Sequence, residues 1–330
     1  MGRKLWPPLA AFLFLSSLVL ASPPASAEAP ATRSPVYVAL GDSLAFGVGA
    51  ANPAAQGYVA VAYDGLLRSD RYRDRGLELI NLSVPGATSS DLLQPDGQID
   101  QALRIVESRQ AAANAGPVEI VTIDVGGNDL LALARPGSPC FDDPAGAECS
   151  QQFGNVLGSL RTNLTEILSR LRQATLEAEI YVIDLYNPFS GTGDAIEPIA
   201  DVGVQQLNAV IASVTADPAL GATLVSVFDA FRGRGTQWIA PDGIHPNTEG
   251  HAIIGELLLA AIEGRDPEIP RDISNEPLNA GDSAPGGVAD DGPAEPQRND
   301  TLIALAIAVP LAFLAGIALS AVYFLARGRA

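Results

Sequence analysis

Residues 36–44 read Val36-Tyr37-Val38-Ala39-Leu40-Gly41-Asp42-Ser43-Leu44: five apolar residues in a row, then glycine, acid, hydroxyl and leucine. A short run that is apolar at every position, not at alternate ones, predicts a strand buried on both faces. Runs of the same kind recur at 77–84, 119–125, 180–185 and 223–228. Between them lie helical patterns at 58–68, within 89–113, at 151–174 and at 197–215. A last one at 248–263 carries Ile253, Ile254, Leu257, Leu258 and Ala261 at helical spacing. Strand–helix alternation of this kind predicts an α/β domain with a parallel central sheet covered on both faces. No repeat at solenoid or propeller periods is present. In open parallel sheets the ligand site gathers at the carboxyl ends of the strands, so the chemistry is to be sought just after each apolar run.

Gly41-Asp42-Ser43-Leu44 follows the first run directly, where a sharp turn would present the Ser43 hydroxyl above the sheet edge. By itself Gly-Asp-Ser is a weak signal. Gly281-Asp282-Ser283 repeats it with no strand before it and Pro285 behind it, and is given no role. A serine hydroxyl needs a base poised near neutrality, normally histidine, and the chain has only two. His245 stands in Pro241-Asp242-Gly243-Ile244-His245-Pro246, a loop between the last strand and the last helix, with Asp242 three residues earlier to hold its second ring nitrogen. His251 falls within the last helix and reads as a packing or hydrogen-bonding residue. Donors for an oxyanion are offered by two further segments that follow strands. Gly126-Gly127-Asn128-Asp129 brings a side-chain amide, and Pro85-Gly86-Ala87-Thr88 brings the Gly86 N–H. Asp42 and Asp129 are expected to brace their turns, not to take part in the reaction.

Taken together, Gly41-Asp42-Ser43-Leu44, Gly86, Gly126-Gly127-Asn128-Asp129 and Asp242-Gly243-Ile244-His245, in this order over about two hundred residues, resemble the GDSL/SGNH hydrolase family. The resemblance implies a three-layer α/β/α flavodoxin-like domain. It implies Ser43 as nucleophile, His245 as base and Asp242 as its partner, with an oxyanion hole from the Ser43 and Gly86 N–H groups and the Asn128 amide. It implies carboxylic ester hydrolysis through an acyl-enzyme with no cofactor and no metal. Other frameworks fit poorly. The α/β-hydrolase nucleophile wants Gly-x-Ser-x-Gly, and position 45 is alanine. Gly47-Val48-Gly49 lacks the third glycine of a dinucleotide site, and Lys4 is the only lysine, so no phosphate loop can be completed.

Substrate is less legible. An esterase or lysophospholipase-like lipase is the first expectation, and a carbohydrate O-acetyl esterase working on a glycan is the alternative. A third reading, of another class, is a catalytically inert membrane-anchored binding module. Trp238 is read either as bordering the site or as packing in the core or at the rim.

The flanks speak of export. Arg3 and Lys4 precede an uncharged run at 5–21, and Ala25-Ser26-Ala27 offers a small-residue cleavage site, the parts of a signal peptide spanning 1–27. The folded domain is expected at 32–264. An acidic, Pro- and Gly-rich stalk follows at 265–300, too poor in apolar residues to fold. Residues 302–326 carry no charge and are long enough to cross a hydrocarbon core of about 30 Å. Arg327 and Arg329 in the tail at 327–330 would stay cytoplasmic, with the catalytic domain outside. No Leu-Pro-x-Thr-Gly precedes that run, which favours a permanent anchor over a sorting signal. A net charge of −18 argues against nucleic acid and anionic lipid as partners, and a monomeric catalytic domain is expected. Cys140 and Cys149, exported, are placed to close a small disulfide loop. Asn81-Leu82-Ser83 and Asn163-Leu164-Thr165 match the glycosylation triplet but fall in expected regular elements.

Overall fold

A computed structural model describes residues 33–269 apart from 113, 144 and 145. The signal segment, most of the stalk and the apolar run at 302–326 lie outside the described residues. In chain order the elements are β1 (Val36–Leu40), α1 (Ser43–Phe46), α2 (Pro53–Gln56), α3 (Tyr58–Arg68), β2 (Glu78–Asn81), α4 (Ser89–Leu92), α5 (Gln98–Ala111), β3 (Val118–Asp124) and α6 (Gly127–Leu131). After a 3₁₀ turn at Ala132–Ala134 come α7 (Pro139–Asp142), α8 (Ala147–Ala174), β4 (Glu179–Ile183), α9 (Glu197–Thr215), β5 (Ala222–Val225), α10 (Gly235–Trp238) and α11 (Thr248–Glu263).

The five strands form one parallel sheet in the order β2-β1-β3-β4-β5. Alternate residues of β1 serve opposite faces, as the pleat requires. Val36, Val38 and Leu40 join the core built with α5, α8 and α9, whereas Tyr37 and Ala39 join the one built with α3 and α11. The expected three-layer α/β/α arrangement with a parallel sheet is therefore present. The strand order reverses between β1 and β3, and the cleft at such a switch point is where open α/β sheets bind ligands.

Two strand expectations are corrected in their limits. The run at 77–84 forms a strand only over Glu78–Asn81, and it is not buried on both faces, because β2 is an edge strand paired with β1 alone. The last strand ends at Val225 instead of 228, since the buried Asp184 carboxylate accepts the Val227 N–H at 2.7 Å and turns the chain away. The helical stretch expected within 89–113 is α5, and the single turn α4 precedes it, separated by Pro95 and by Asp96 with its φ of +59°. The folded part also runs past 264. Arg265 pairs with Glu256 and Glu263 at 2.6 Å each, and Ile269 packs on the α3–α11 core.

Cys140 in α7 and Cys149 in the first turn of α8 are bonded to each other and fully buried. Both glycosylation-triplet asparagines are engaged: the Asn81 amide donates to Ala45 O (2.8 Å) and that of Asn163 to Ser89 Oγ (2.9 Å).

Candidate active site

The turn that ends β1 is held from two sides. Gln98, at the start of α5, accepts the Gly41 N–H and donates to the Gly41 carbonyl, both at 2.8 Å. From beneath, the Asp124 carboxyl at the end of β3 accepts the Asp42 N–H at 3.2 Å. Only glycine fits at 41. Its φ is +144°, and a Cβ there would lie 2.6 Å from an Asp124 carboxyl oxygen. Asp42 then caps α1 by accepting the Leu44 N–H at 2.9 Å, which leaves Ser43 as the first helical residue, half-buried, with its hydroxyl toward the cleft.

His245 arrives from the other end of the chain. The loop between α10 and α11 is pinned by an Ile239–Pro246 bridge, with Ala240 N–H to His245 O and Asn247 N–H to Trp238 O at 2.8 Å each. Asp242 closes the turn locally by accepting the N–H groups of Ile244 and His245 at 3.0 Å with one carboxylate oxygen. Its other oxygen lies 2.6 Å from His245 Nδ1, and His245 Nε2 lies 2.8 Å from Ser43 Oγ. With Nδ1–H donating to Asp242, Nε2 is the nitrogen left to accept the serine proton. Burial works against the charge on Asp242, but the two backbone donors and the ring outweigh it and hold the carboxyl below its ordinary range. Tyr186 donates to the Ile244 carbonyl at 2.8 Å and fixes the loop from the cavity side.

The expected oxyanion donors reach the same cavity. Gly86 and Asn128 line it with Ser43 and His245, and the N–H groups of Ser43 and Gly86 have no acceptor among the described residues. Asn128 is already committed at rest: its Nδ2 donates to Asp42 Oδ2 (3.0 Å) and to the Ala87 carbonyl (3.1 Å). To serve an oxyanion it must share one of these hydrogens. Asp42 and Asp129 brace as expected, the latter tying α6 to α4 by accepting the Ser89 N–H (2.9 Å) and hydroxyl (2.5 Å). His251 is fully buried, its ring between the Val48 carbonyl and the Tyr58 N–H, and burial lowers its pKa. Trp238 packs edge-on against Phe231 in the core and does not line the cavity.

Sequence reasoning missed Gln98, Tyr58, Asp124 and Tyr186. Gln98 and Tyr186 leave no mark in the pattern. Asp124 does: it is an acid at the inner end of an otherwise buried strand, and such a group must find partners.

Beside the serine opens a cavity of about 760 Å³ whose wall is mostly aliphatic, including Leu44, Leu131, Leu185, Ile199 and Val204, with Phe189 among them. Among the described residues no arginine or lysine lines it.

Residues 39–253 match the model of the GDSL-like Lipase/Acylhydrolase family. The chain is 25% identical over 230 residues to the uncharacterized protein YpmR of Bacillus subtilis, covering 69% of this chain and 81% of that one. It is 25% identical over 233 residues to the spore germination lipase LipC of Bacillus licheniformis, covering 69% and 97%. Among solved structures, the lipase Lip_vut3 from a goat rumen metagenome superposes with a TM-score of 0.53 at 21% identity, over 69% of this chain and 97% of that one.

Proposed function

The chain belongs to the GDSL-like lipase/acylhydrolase family, and from that premise we propose that this carboxylic ester hydrolase cleaves esters of extended apolar acyl chains through an acyl-enzyme on Ser43. The observation that carries the acyl preference is the aliphatic cavity beside Ser43. A wall of leucine, isoleucine and valine rewards burial of methylenes by about 0.8 kcal/mol each. An acetyl group would leave most of that wall unused.

In the proposed reaction Ser43 Oγ attacks the ester carbonyl carbon while its proton passes to His245 Nε2. Asp242 holds the ring and stabilises the imidazolium. The N–H groups of Ser43 and Gly86 and a shared hydrogen of Asn128 meet the oxyanion. Collapse breaks the ester C–O bond, and His245 gives its proton to the departing alcohol. Water, deprotonated by His245, then attacks the acyl-serine and releases the acid.

The surroundings support an amphiphilic substrate. Among the described residues, Phe46, Val84 and Leu131 are three of the four exposed large hydrophobics, and they sit on the segments that carry Ser43, Gly86 and Asn128. Stretches 43–53 and 82–90 contain no charge at all. The Cys140–Cys149 disulfide supports residence in an oxidising compartment. With the leader expected at 1–27 and the apolar run at 302–326, it supports a catalytic domain tethered outside the membrane.

A p-nitrophenyl ester series tests the reading, run beside an acetylated xylo-oligosaccharide. Turnover is expected to rise from acetate to octanoate. A maximum at acetate, with octanoate refused and the sugar ester preferred, would give the site to carbohydrate deacetylation. No hydrolysis of any ester, with no fluorophosphonate labelling at Ser43, would leave a binding module.

A further inference from the structure

Two carboxyl groups meet directly beneath the serine turn. Asp124 is 1% exposed and Asp42 6%. The Asp42 N–H is donated to Asp124 Oδ1 at 3.2 Å and the Tyr58 hydroxyl to Asp124 Oδ2 at 2.5 Å, and the charge on Asp42 bears directly on Asp124. The titratable groups facing the pair are Tyr58 from α3, Tyr37 from β1, Tyr186 after β4 and the His245 ring. Among the described residues none of these is a fixed cation that would balance two adjacent charges here.

The hydrogen bonds tell the two acids apart. Each Asp42 oxygen accepts an N–H, from Leu44 and from Asn128, and these donors favour the carboxylate. Burial raises Asp42 too, but its N–H donors and the imidazolium that forms on His245 pull the other way, so Asp42 is raised less than Asp124 and keeps the charge of the pair. Asp124 lies deeper, and a proton on it has an acceptor in Asp42 while Tyr58 donates to its other oxygen. Burial and the neighbouring charge push Asp124 well above the ordinary carboxylate range.

We propose that Asp124 is a positioning residue kept as the neutral acid, which donates to the Asp42 carboxylate and accepts the Asp42 N–H, and so holds the turn presenting Ser43 and the carboxylate that orients Asn128. Its neutrality matters for charge as well as for shape. Ionised, it would set a second negative charge under the place where the oxyanion develops, in a cavity that no arginine or lysine among the described residues lines.

Infrared difference spectra of wild type against Asp124→Asn at pH 7 test the charge state independently of the catalytic reading. The C=O band of a protonated carboxylic acid, shifting in D₂O, is expected in the wild type alone, and a difference holding carboxylate bands only would overturn the proposal. The kinetic arm rests on Ser43 being the nucleophile and uses p-nitrophenyl butyrate. Asp124→Asn keeps a neutral group of the same shape and is expected to hold kcat within about tenfold. Asp124→Ala removes both contacts and is expected to lower kcat by about 10²-fold with KM unchanged. A loss in Asp124→Asn as large as that in Asp124→Ala would mean that the charge is needed, and would also overturn the proposal. If Asp124→Ala does not fold, the infrared band and the Asp124→Asn rate decide between the same two outcomes.

Discussion

Ser43 shares its hydroxyl proton with an imidazole whose other nitrogen is committed to Asp242, and substitutions at these positions should divide accordingly. Ser43→Ala removes the atom that the proposed reaction acylates, so kcat should fall on the order of 10⁶-fold and fluorophosphonate labelling should vanish. Asp242→Asn keeps the shape but leaves the tautomer unspecified. Because Asp242 is 44% exposed and water can partly replace it, a smaller loss is expected, about 10²–10³-fold in kcat. A loss as large as for Ser43→Ala would show that solvent does not substitute. At Asp124 the linkage runs opposite to that of a salt-bridged carboxylate. Its native pKa is raised, so between about 4 and that native value the folded state binds the extra proton. Stability from this group is complete below pH 4 and falls as pH rises through that window. Thermal melts from pH 4 to 8 should therefore show a flatter pH dependence in Asp124→Asn than in wild type, and parallel curves would contradict it. The serine and donor segments were legible as residues that follow strands, and the histidine as one of only two in the chain. The acids and amides beneath them were not, because a brace is recognised by what it touches.

At the scale of elements, the site depends on how α11 and α8 begin. Asn247 caps α11 by accepting the Gly250 N–H at 3.0 Å and donates to the Gln237 carbonyl at 2.6 Å, two residues after His245. Asn247→Ala should cost about 1 kcal/mol, or roughly 2–4 °C in Tm for a domain of this size. It should lower kcat too, since the same bonds hold the histidine loop. A drop in Tm with unchanged kcat would show that the loop is held elsewhere. The Cys140–Cys149 bond ties α7 to α8 just beyond the wall formed by Leu131, Ala134 and Pro136. Closing a loop of this length stabilises by roughly 2–3 kcal/mol in the chain-entropy account. Replacing both cysteines with alanine should lower Tm by about 5–10 °C and raise KM for octanoyl more than for butyryl esters. Helices α3, α9 and α11 were readable to the residue because their apolar faces are continuous. The edge strands β2 and β5 were not, because an edge carries only half the burial that marks a strand.

The whole molecule combines a net charge of −18 with exposed apolar residues, Phe46 and Val84, on the uncharged segments that carry Ser43 and Gly86. Esters presented in zwitterionic vesicles should therefore be hydrolysed faster than the same esters in anionic vesicles, and added salt should narrow the gap by screening the repulsion. Phe46→Ser with Val84→Ser should slow hydrolysis in vesicles and leave monomeric p-nitrophenyl butyrate unaffected. An equal effect on both substrates would mean that these two side chains do not meet the vesicle surface.

The order of apolar runs and helical faces determined a parallel α/β sheet from sequence alone, because burial imposes its period on every element that meets the core. The residues able to react were equally readable, since few side chains can serve as nucleophile or base and the chain has only two histidines. Only the tertiary structure decided that Ser43 and His245, 202 residues apart, come within 2.8 Å. It alone brought Asp124 under Asp42 and gathered the aliphatic wall from segments between 44 and 204. Such meetings follow from strand order and packing, and packing is a property of surfaces in contact that no local stretch of chain contains.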